Sequence, residues 1–478
     1  MSSALFGVII FFLALEKISS KFQYSPDWDS LDSRPLPKWY DNAKFGIFIH
    51  WGVYSVPSYG AAEWFWYHWK ISKRLKETNF MKQNFKPNFS YVDFAPMFTC
   101  EFFDPEQFVK LIKISGAKYF VLTSKHHEGY TMWPSKYSWN WNSMDVGPKR
   151  DIVGELAKHA QKAGIDFGLY YSLYEWFNPL YQSDKAANFK KQDYVNSVVI
   201  PQLMEIIYKY QPKVLWSDGD WEAADAYWNS TKFLAWLYNE SPVKEVVVVN
   251  DRWGRGTMCK HGDFYTCGDR FQPTTLQKHK WESCITIDRE SWGFRREATL
   301  KDYHTVEELI EILIRTVSFG GNLLLNVGPT HYGKITPIFE ERLRQIGQWL
   351  AINGEAVYST KPWSYQQEPK LNFVWYTSRV YDESNSIFSM LFQRTKSTTV
   401  YAILLKWPDN SLLSLETIAA NNLTKISMLG FPEYLSFRFK NPSGIEIDLS
   451  NLNPINLPSK WAWAIKMENI ESALEMES

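Results

Sequence analysis

A repeated alternation of short apolar runs and amphipathic segments constrains this chain more than any other feature. The runs are Phe45 to His50, Tyr119 to Ser124, Phe167 to Ser172, Val214 to Asp218, Val246 to Asp251, Ser283 to Ile287 and Asn322 to Val327. They are nearly continuous in apolar character, the pattern of strands buried on both faces. Helical patterns lie between and after them. Pro105 to Ile114 starts behind Asp104, and Ile152 to Lys162 stops at Gly164; Tyr194 to Tyr210, Thr305 to Ser318 and Ile338 to Asn353 complete the set. Seven or eight such units closing on themselves predict an α/β fold, a (β/α)8-type barrel over residues 21–355. An open doubly wound sheet is the alternative, but no glycine-rich phosphate loop follows the first strand.

After Gly354 the texture changes to short β-rich segments between turns. Phe373 to Thr377, Ser397 to Leu405, Lys425 to Leu429 and a final strand over Trp461 to Lys466 predict a C-terminal antiparallel β-sandwich over 356–468. The tail at 469–478 is polar and acidic, a composition that predicts disorder.

The N-terminus carries an address. Ala4 to Leu15 is an apolar run of signal-peptide length with small residues at Ser19 and Ser20, so residues 1–20 read as a leader. A buried N-terminal helix is the competing reading. No stretch is long and apolar enough to span a bilayer. Sequons at Asn88, Asn229, Asn239 and Asn422 agree with export, although Pro242 follows the third closely. Of four cysteines, Cys259 and Cys267 flank a short polar loop and are the easiest to join; Cys100 and Cys284 either pair or stay free. Basic and acidic residues balance at 52 each, which gives no electrostatic footprint for nucleic acid.

Polar side chains gather where the strands end. Trp216-Ser217-Asp218-Gly219 places a carboxylate at a strand tip between tryptophans, and an indole face suits the C–H face of a sugar. Taken alone, such an aspartate more often caps a turn. Its company is His50, His126-His127-Glu128, Tyr170-Tyr171, Asn250-Asp251-Arg252-Trp253, Asp269 and Glu282, with Glu63-Trp64 in the first loop. In a parallel barrel all of these would share the catalytic face. Two carboxylates with histidine, arginine and aromatics fit glycoside hydrolysis. A metal-dependent hydrolase is the enzymatic rival, but ligand spacings such as HExxH are absent, so neither metal nor cofactor is expected.

These stretches resemble the α-L-fucosidases of glycoside hydrolase family 29. The resemblance rests on Lys44 to Gly52, Glu63-Trp64, Lys125 to Gly129, Trp216 to Gly219, Asn250 to Trp253 and the signature Pro273-x-x-Leu276-x-x-x-Lys280-Trp281-Glu282-x-Cys284. It runs from about Tyr24 to Lys466 and is strongest to the animal tissue, lysosomal type. It implies a retaining exo-hydrolase for terminal α-L-fucose on glycoproteins, glycolipids and oligosaccharides, with Asp218 as nucleophile. It also implies that His50, Glu63, Trp64, His126, His127, Tyr171, Trp216, Arg252 and Trp292 hold the sugar, with Tyr170 the alternative to Tyr171.

The acid/base stays open between Asp269, beside the Cys259–Cys267 loop, and Glu282, beside Trp281. Asp269 is favoured for its mobile setting. A homo-oligomer, often a tetramer, and a lysosomal or secreted location are also what the resemblance implies. A catalytically silent fucose-binding protein that keeps the pocket is the alternative from a different class.

Overall fold

The computed structural model describes residues 23–381, 397–440 and 443–470. The expected leader lies outside them, as do residues 471–478 of the tail. The first strands are β1 (Phe45–Ile49), β2 (Tyr119–Lys125), β3 (Asp166–Ser172), β4 (Val214–Asp218), β5 (Val248–Val249), β6 (Glu282–Thr286) and β7 (Asn322–Val327). All pair in parallel in the order β5-β4-β3-β2-β1-β7-β6.

Residues 263–265 occupy the gap between β5 and β6. The Asp263 and Phe264 amides donate to Val249 O at 3.1 and 3.3 Å, Tyr265 N donates to Lys280 O at 2.9 Å, and Glu282 N donates to Tyr265 O at 2.8 Å. This short eighth position closes the ring, which decides for a barrel over an open sheet.

The fifth strand is shorter than its apolar run suggests, and the cause is a side chain. Asn250 Oδ1 accepts from Ser217 N and Oγ at 3.0 and 2.9 Å, while its Nδ2 donates to Ser217 O at 2.8 Å. A side-chain amide thus replaces the backbone ladder just where Arg252 must turn toward the barrel mouth. The segment Tyr194 to Tyr210 is likewise not uniform. A π-turn over Val195–Val199 leads into the helix Ile200–Tyr210, whose Pro201 has no N–H to return to the preceding turn.

Alternation along the strands sorts their side chains into two layers. Phe48, Tyr119, Tyr170, Trp216, Cys284 and Leu324 pack inside the barrel. Ile47, Leu122, Leu169, Tyr171 and Leu215 pack outward under the helices. The interior is tight enough to demand glycine in β1, because a Cβ on Gly46 would lie 2.5 Å from the Tyr119 ring.

Behind the barrel, β8 (Gln367–Glu368), β9 (Leu371–Tyr381), β10 (Ser397–Leu404), β12 (Lys425–Met428) and β15 (Trp463–Glu468) form one antiparallel sheet. A second comprises β11 (Leu412–Leu415), β13 (Phe437–Phe439) and β14 (Ile445–Asp448). Val374, Val400, Leu413 and Ile447 fill the space between them. The other face of the larger sheet, with Trp375, Tyr401 and Ile403, joins the barrel's helical layer, where Trp349 Nε1 donates to Ala462 O at 3.0 Å. Among the described residues no helix is long and apolar enough to cross a membrane.

Candidate active site

The C-terminal ends of the strands converge on one pocket. Asp218 ends β4, and its two oxygens are held separately. Tyr170 Oη donates to Oδ2 at 2.8 Å and Arg252 Nη1 donates to Oδ1 at 3.1 Å. The same guanidinium reaches from Nη2 to Asp269 Oδ1 at 2.8 Å, so one arginine spans two carboxylates. Its Nε donates to Thr266 Oγ1 at 2.9 Å, and its plane lies 4.6 Å from the Trp216 ring centroid. Burial alone would lower the Arg252 pKa, but Asp269 and Asp218 outweigh it and push it up.

Three histidines line the opposite wall. Burial pushes His50 and His127 well below the usual imidazole range, with His126 adding to the effect on both, which favours the neutral imidazole. His50 Nδ1 lies 2.7 Å from Asn326 Oδ1. That amide's Nδ2 is already committed to Trp292 O, so the His50 proton sits on Nδ1 and Nε2 is left as an acceptor. His127 follows the same logic. Its Nδ1 lies 2.7 Å from Ser172 Oγ, which donates its own proton to Tyr174 O, so the ring donates from Nδ1.

Three buried polar atoms here make no hydrogen bond: His126 Nδ1 and Glu128 Oε2 stand 3.5 Å apart, and His127 Nε2 stands 3.6 Å from Asp218 Oδ2. Such atoms are costly in a buried site, and a ligand's hydroxyls would complete those of His126 and His127, which line the pocket. Glu63 joins from the first loop, where Ser291 Oγ and Gly293 N donate to its Oε2 at 2.9 and 3.0 Å. Trp64 and Trp292 complete the wall. No cluster of three His, Cys, Asp or Glu side chains fit to hold a metal occurs among the described residues.

Two sequence expectations need correction. Tyr171 does not reach the pocket. It points outward, where its hydroxyl accepts from Lys125 Nζ at 2.9 Å and donates to Gln202 Oε1 at 2.7 Å. Tyr170 is the inward member of the pair, one position earlier on a strand whose side chains alternate. Glu282 also lies away from the pocket. It is the first residue of β6, at the opposite end of the barrel from the mouth, and accepts from Tyr40 and Tyr119 hydroxyls at 2.7 and 2.6 Å and from Trp216 Nε1 at 3.0 Å. Burial raises its pKa while those donors pull it back, the environment of a structural anchor under Trp216.

Asp269 sits at the pocket rim in a loop that Asp251 organises. Asp251 Oδ2 accepts from Cys259 N at 2.7 Å and from Cys267 N at 3.2 Å, and Thr266 Oγ1 donates to Oδ1 at 2.6 Å. Cys259 and Cys267 are joined by a disulfide, while Cys100 and Cys284 are buried free thiols. Of the sequons, Asn88 and Asn422 are exposed and Asn229 is half-buried. Asn239 is engaged differently: its Oδ1 accepts from Tyr24 N at 2.9 Å and its Nδ2 donates to Tyr24 O at 2.8 Å.

Sequence reading also missed Phe48 and took Trp221 only as one of the tryptophans flanking Asp218; both line the pocket. Phe48 was discoverable, because it precedes His50 by two in a strand and must share its face. Trp221 follows the turn after Asp218 and carries no comparable signal.

A family profile described as alpha-L-fucosidase matches residues 11–355. The chain belongs to the α-L-fucosidase family. A second fucosidase profile, for the C-terminal domain, matches residues 366–468. The alpha-L-fucosidase of Branchiostoma floridae is 54% identical over 462 residues, covering 96% of this chain and 99% of that relative. The tissue alpha-L-fucosidase of Homo sapiens is 51% identical over 449 residues, covering 94% and 92%. Among solved structures, the Thermotoga maritima alpha-fucosidase in complex with fucose superposes with a TM-score of 0.74 at 32% identity, over 93% of this chain and all of that one. As a fucosidase-family member the chain is a glycoside hydrolase, and its substrates are fucosylated glycans.

Proposed function

We propose that this fucosidase is a retaining exo-hydrolase in which Asp218 is the nucleophile and Asp269 the acid/base. The observation that carries the reading is the Arg252 guanidinium, which holds Asp218 on one side and Asp269 on the other at the mouth of a closed pocket. In the first step Asp269 gives its proton to the glycosidic oxygen as the C1–O bond breaks and Asp218 bonds to C1. In the second, Asp269 takes a proton from water, the water oxygen bonds to C1, and Asp218 leaves.

The neutral imidazoles of His50 and His127 offer acceptor nitrogens to sugar hydroxyls, and Glu63 adds a carboxylate oxygen. Phe48 and Trp292, 6.0 Å apart at 70°, give a 6-methyl group an apolar wall. A 6-hydroxyl there would lose its hydrogen bonds at a cost of roughly 1–3 kcal/mol.

The leader, the sequons and the tissue and plasma relatives support passage through the secretory pathway to a lysosome or the exterior. Assembly as a homo-oligomer, with a tetramer the form implied by the family resemblance, belongs to the same reading.

The test is azide rescue on an aryl α-L-fucoside. Asp269→Ala should regain turnover with azide and release the α-L-fucosyl azide, because azide attacks the fucosyl-enzyme from the acid/base side. Asp218→Gly should instead give the β anomer, from direct displacement. Rescue of Glu282→Ala alone would overturn the acid/base assignment, and no hydrolysis by the wild type would favour the silent fucose-binding alternative.

A further inference from the structure

We infer that Trp221 forms the binding platform for the sugar ring that leaves. This deepens the hydrolase reading above and rests on it. Of the residues lining the pocket only two are exposed: Trp221, with 41% of its surface open, and Asp269, whose side chain is half open. The remaining walls are buried or half-buried. The pocket therefore opens between these two residues, and whatever is attached to the fucose must pass between the carboxyl on one side and the indole on the other.

The indole is held ready for that role. It lies against Trp64 with centroids 6.2 Å apart and planes 27° from parallel, and meets the rings of His127 and Tyr174 edge-on, each at 5.5 Å. Its position is tied to the nucleophile through Gly219, whose φ of 79° turns the chain directly after Asp218 and whose hydrogen leaves room for the Tyr174 ring; a Cβ there would lie 2.6 Å from that ring. A single exposed aromatic is unremarkable in itself. One packed on three other rings at the open end of a sugar pocket is a pre-oriented face that a ring would cover.

Behind it the aromatic packing continues inward, with Trp64 on the buried Trp176 at 5.2 Å and Trp176 on Trp66 at 5.3 Å. An indole favours the C–H face of a pyranose.

The experiment compares kcat/KM for two substrates of the full chain: α-L-fucosyl-(1→2)-galactose, which carries a ring to leave, and α-L-fucosyl fluoride, which carries none. The disaccharide-to-fluoride ratio should fall about tenfold in Trp221→Ala. Trp221→Leu, which keeps apolar bulk without a ring face, should fall similarly, and Trp221→Phe should keep most of the ratio. An unchanged ratio in both Trp221→Ala and Trp221→Leu would overturn the proposal, including the case in which both rates fall together. Failure of the wild type to cleave even the fluoride would overturn the hydrolase reading instead.

Discussion

The Tyr170 hydroxyl donates to Asp218 Oδ2 at 2.8 Å, so an inward residue of β3 steadies the carboxylate at the tip of β4. Its neighbour Tyr171 faces away, into the Lys125–Gln202 network. Tyr170→Phe should therefore lower kcat on an aryl fucoside by about tenfold or more, with little change in melting temperature. Tyr171→Phe should do the reverse, removing roughly 1–3 kcal/mol of stability while leaving kcat near wild type. Steady-state kinetics and thermal melts on the two variants check the assignment.

Arg252 cannot be replaced by another cation. Its fork holds Asp218 and Asp269 at once, and a lysine presents one point charge where two fixed donors are needed. Arg252→Lys should lower kcat/KM by on the order of a hundredfold, and a value within threefold of wild type would show that the bridge contributes little.

Asp220 gives the fold an acid bias. Burial, with Asp218 as the second cause, pushes its carboxyl up to about 7, and its Oδ1 has no partner. A carboxyl raised in the folded state contributes stability that is present below its unfolded pKa near 4 and is lost as pH rises through about 7. Asp220→Asn removes that loss, so it should raise the melting temperature at pH 7.5 by an amount on the order of a few kcal/mol in stability. The gain should shrink toward zero at pH 4. A gain of equal size at both pH values would contradict the assignment.

Glu282 carries three donors at the closed end of the barrel. Glu282→Ala leaves two tyrosine hydroxyls and an indole N–H unpaired, a loss of about 3–5 kcal/mol. Thermal melts should show that loss, and azide should not accelerate the variant.

The barrel and most of its polar tips were legible because buried parallel strands and capped helices leave strong local patterns. Four particulars were not. The parity of Tyr170 and Tyr171 depends on which face of β3 points inward, and both residues are bulky enough to serve either layer. The early end of β5 depends on Asn250 bonding to Ser217, a contact across 33 positions. Glu282 shares a motif with Trp281 and Cys284, yet its role follows from lying at the start of a strand, and the motif fixes composition more clearly than direction. Trp221 could not be assigned from sequence, since its exposure at the rim is a property of the closed fold.

The bond proposed between Asp218 and the sugar can be trapped directly. Incubation with 2-deoxy-2-fluoro-α-L-fucosyl fluoride slows hydrolysis of the intermediate and leaves the sugar attached, so peptide mapping by mass spectrometry locates the bond. The label should fall on the peptide containing Asp218 and specifically on that residue. A label on Asp269 or any other side chain, or an unlabelled protein that releases fucose with inverted configuration, would rule out Asp218 as the nucleophile.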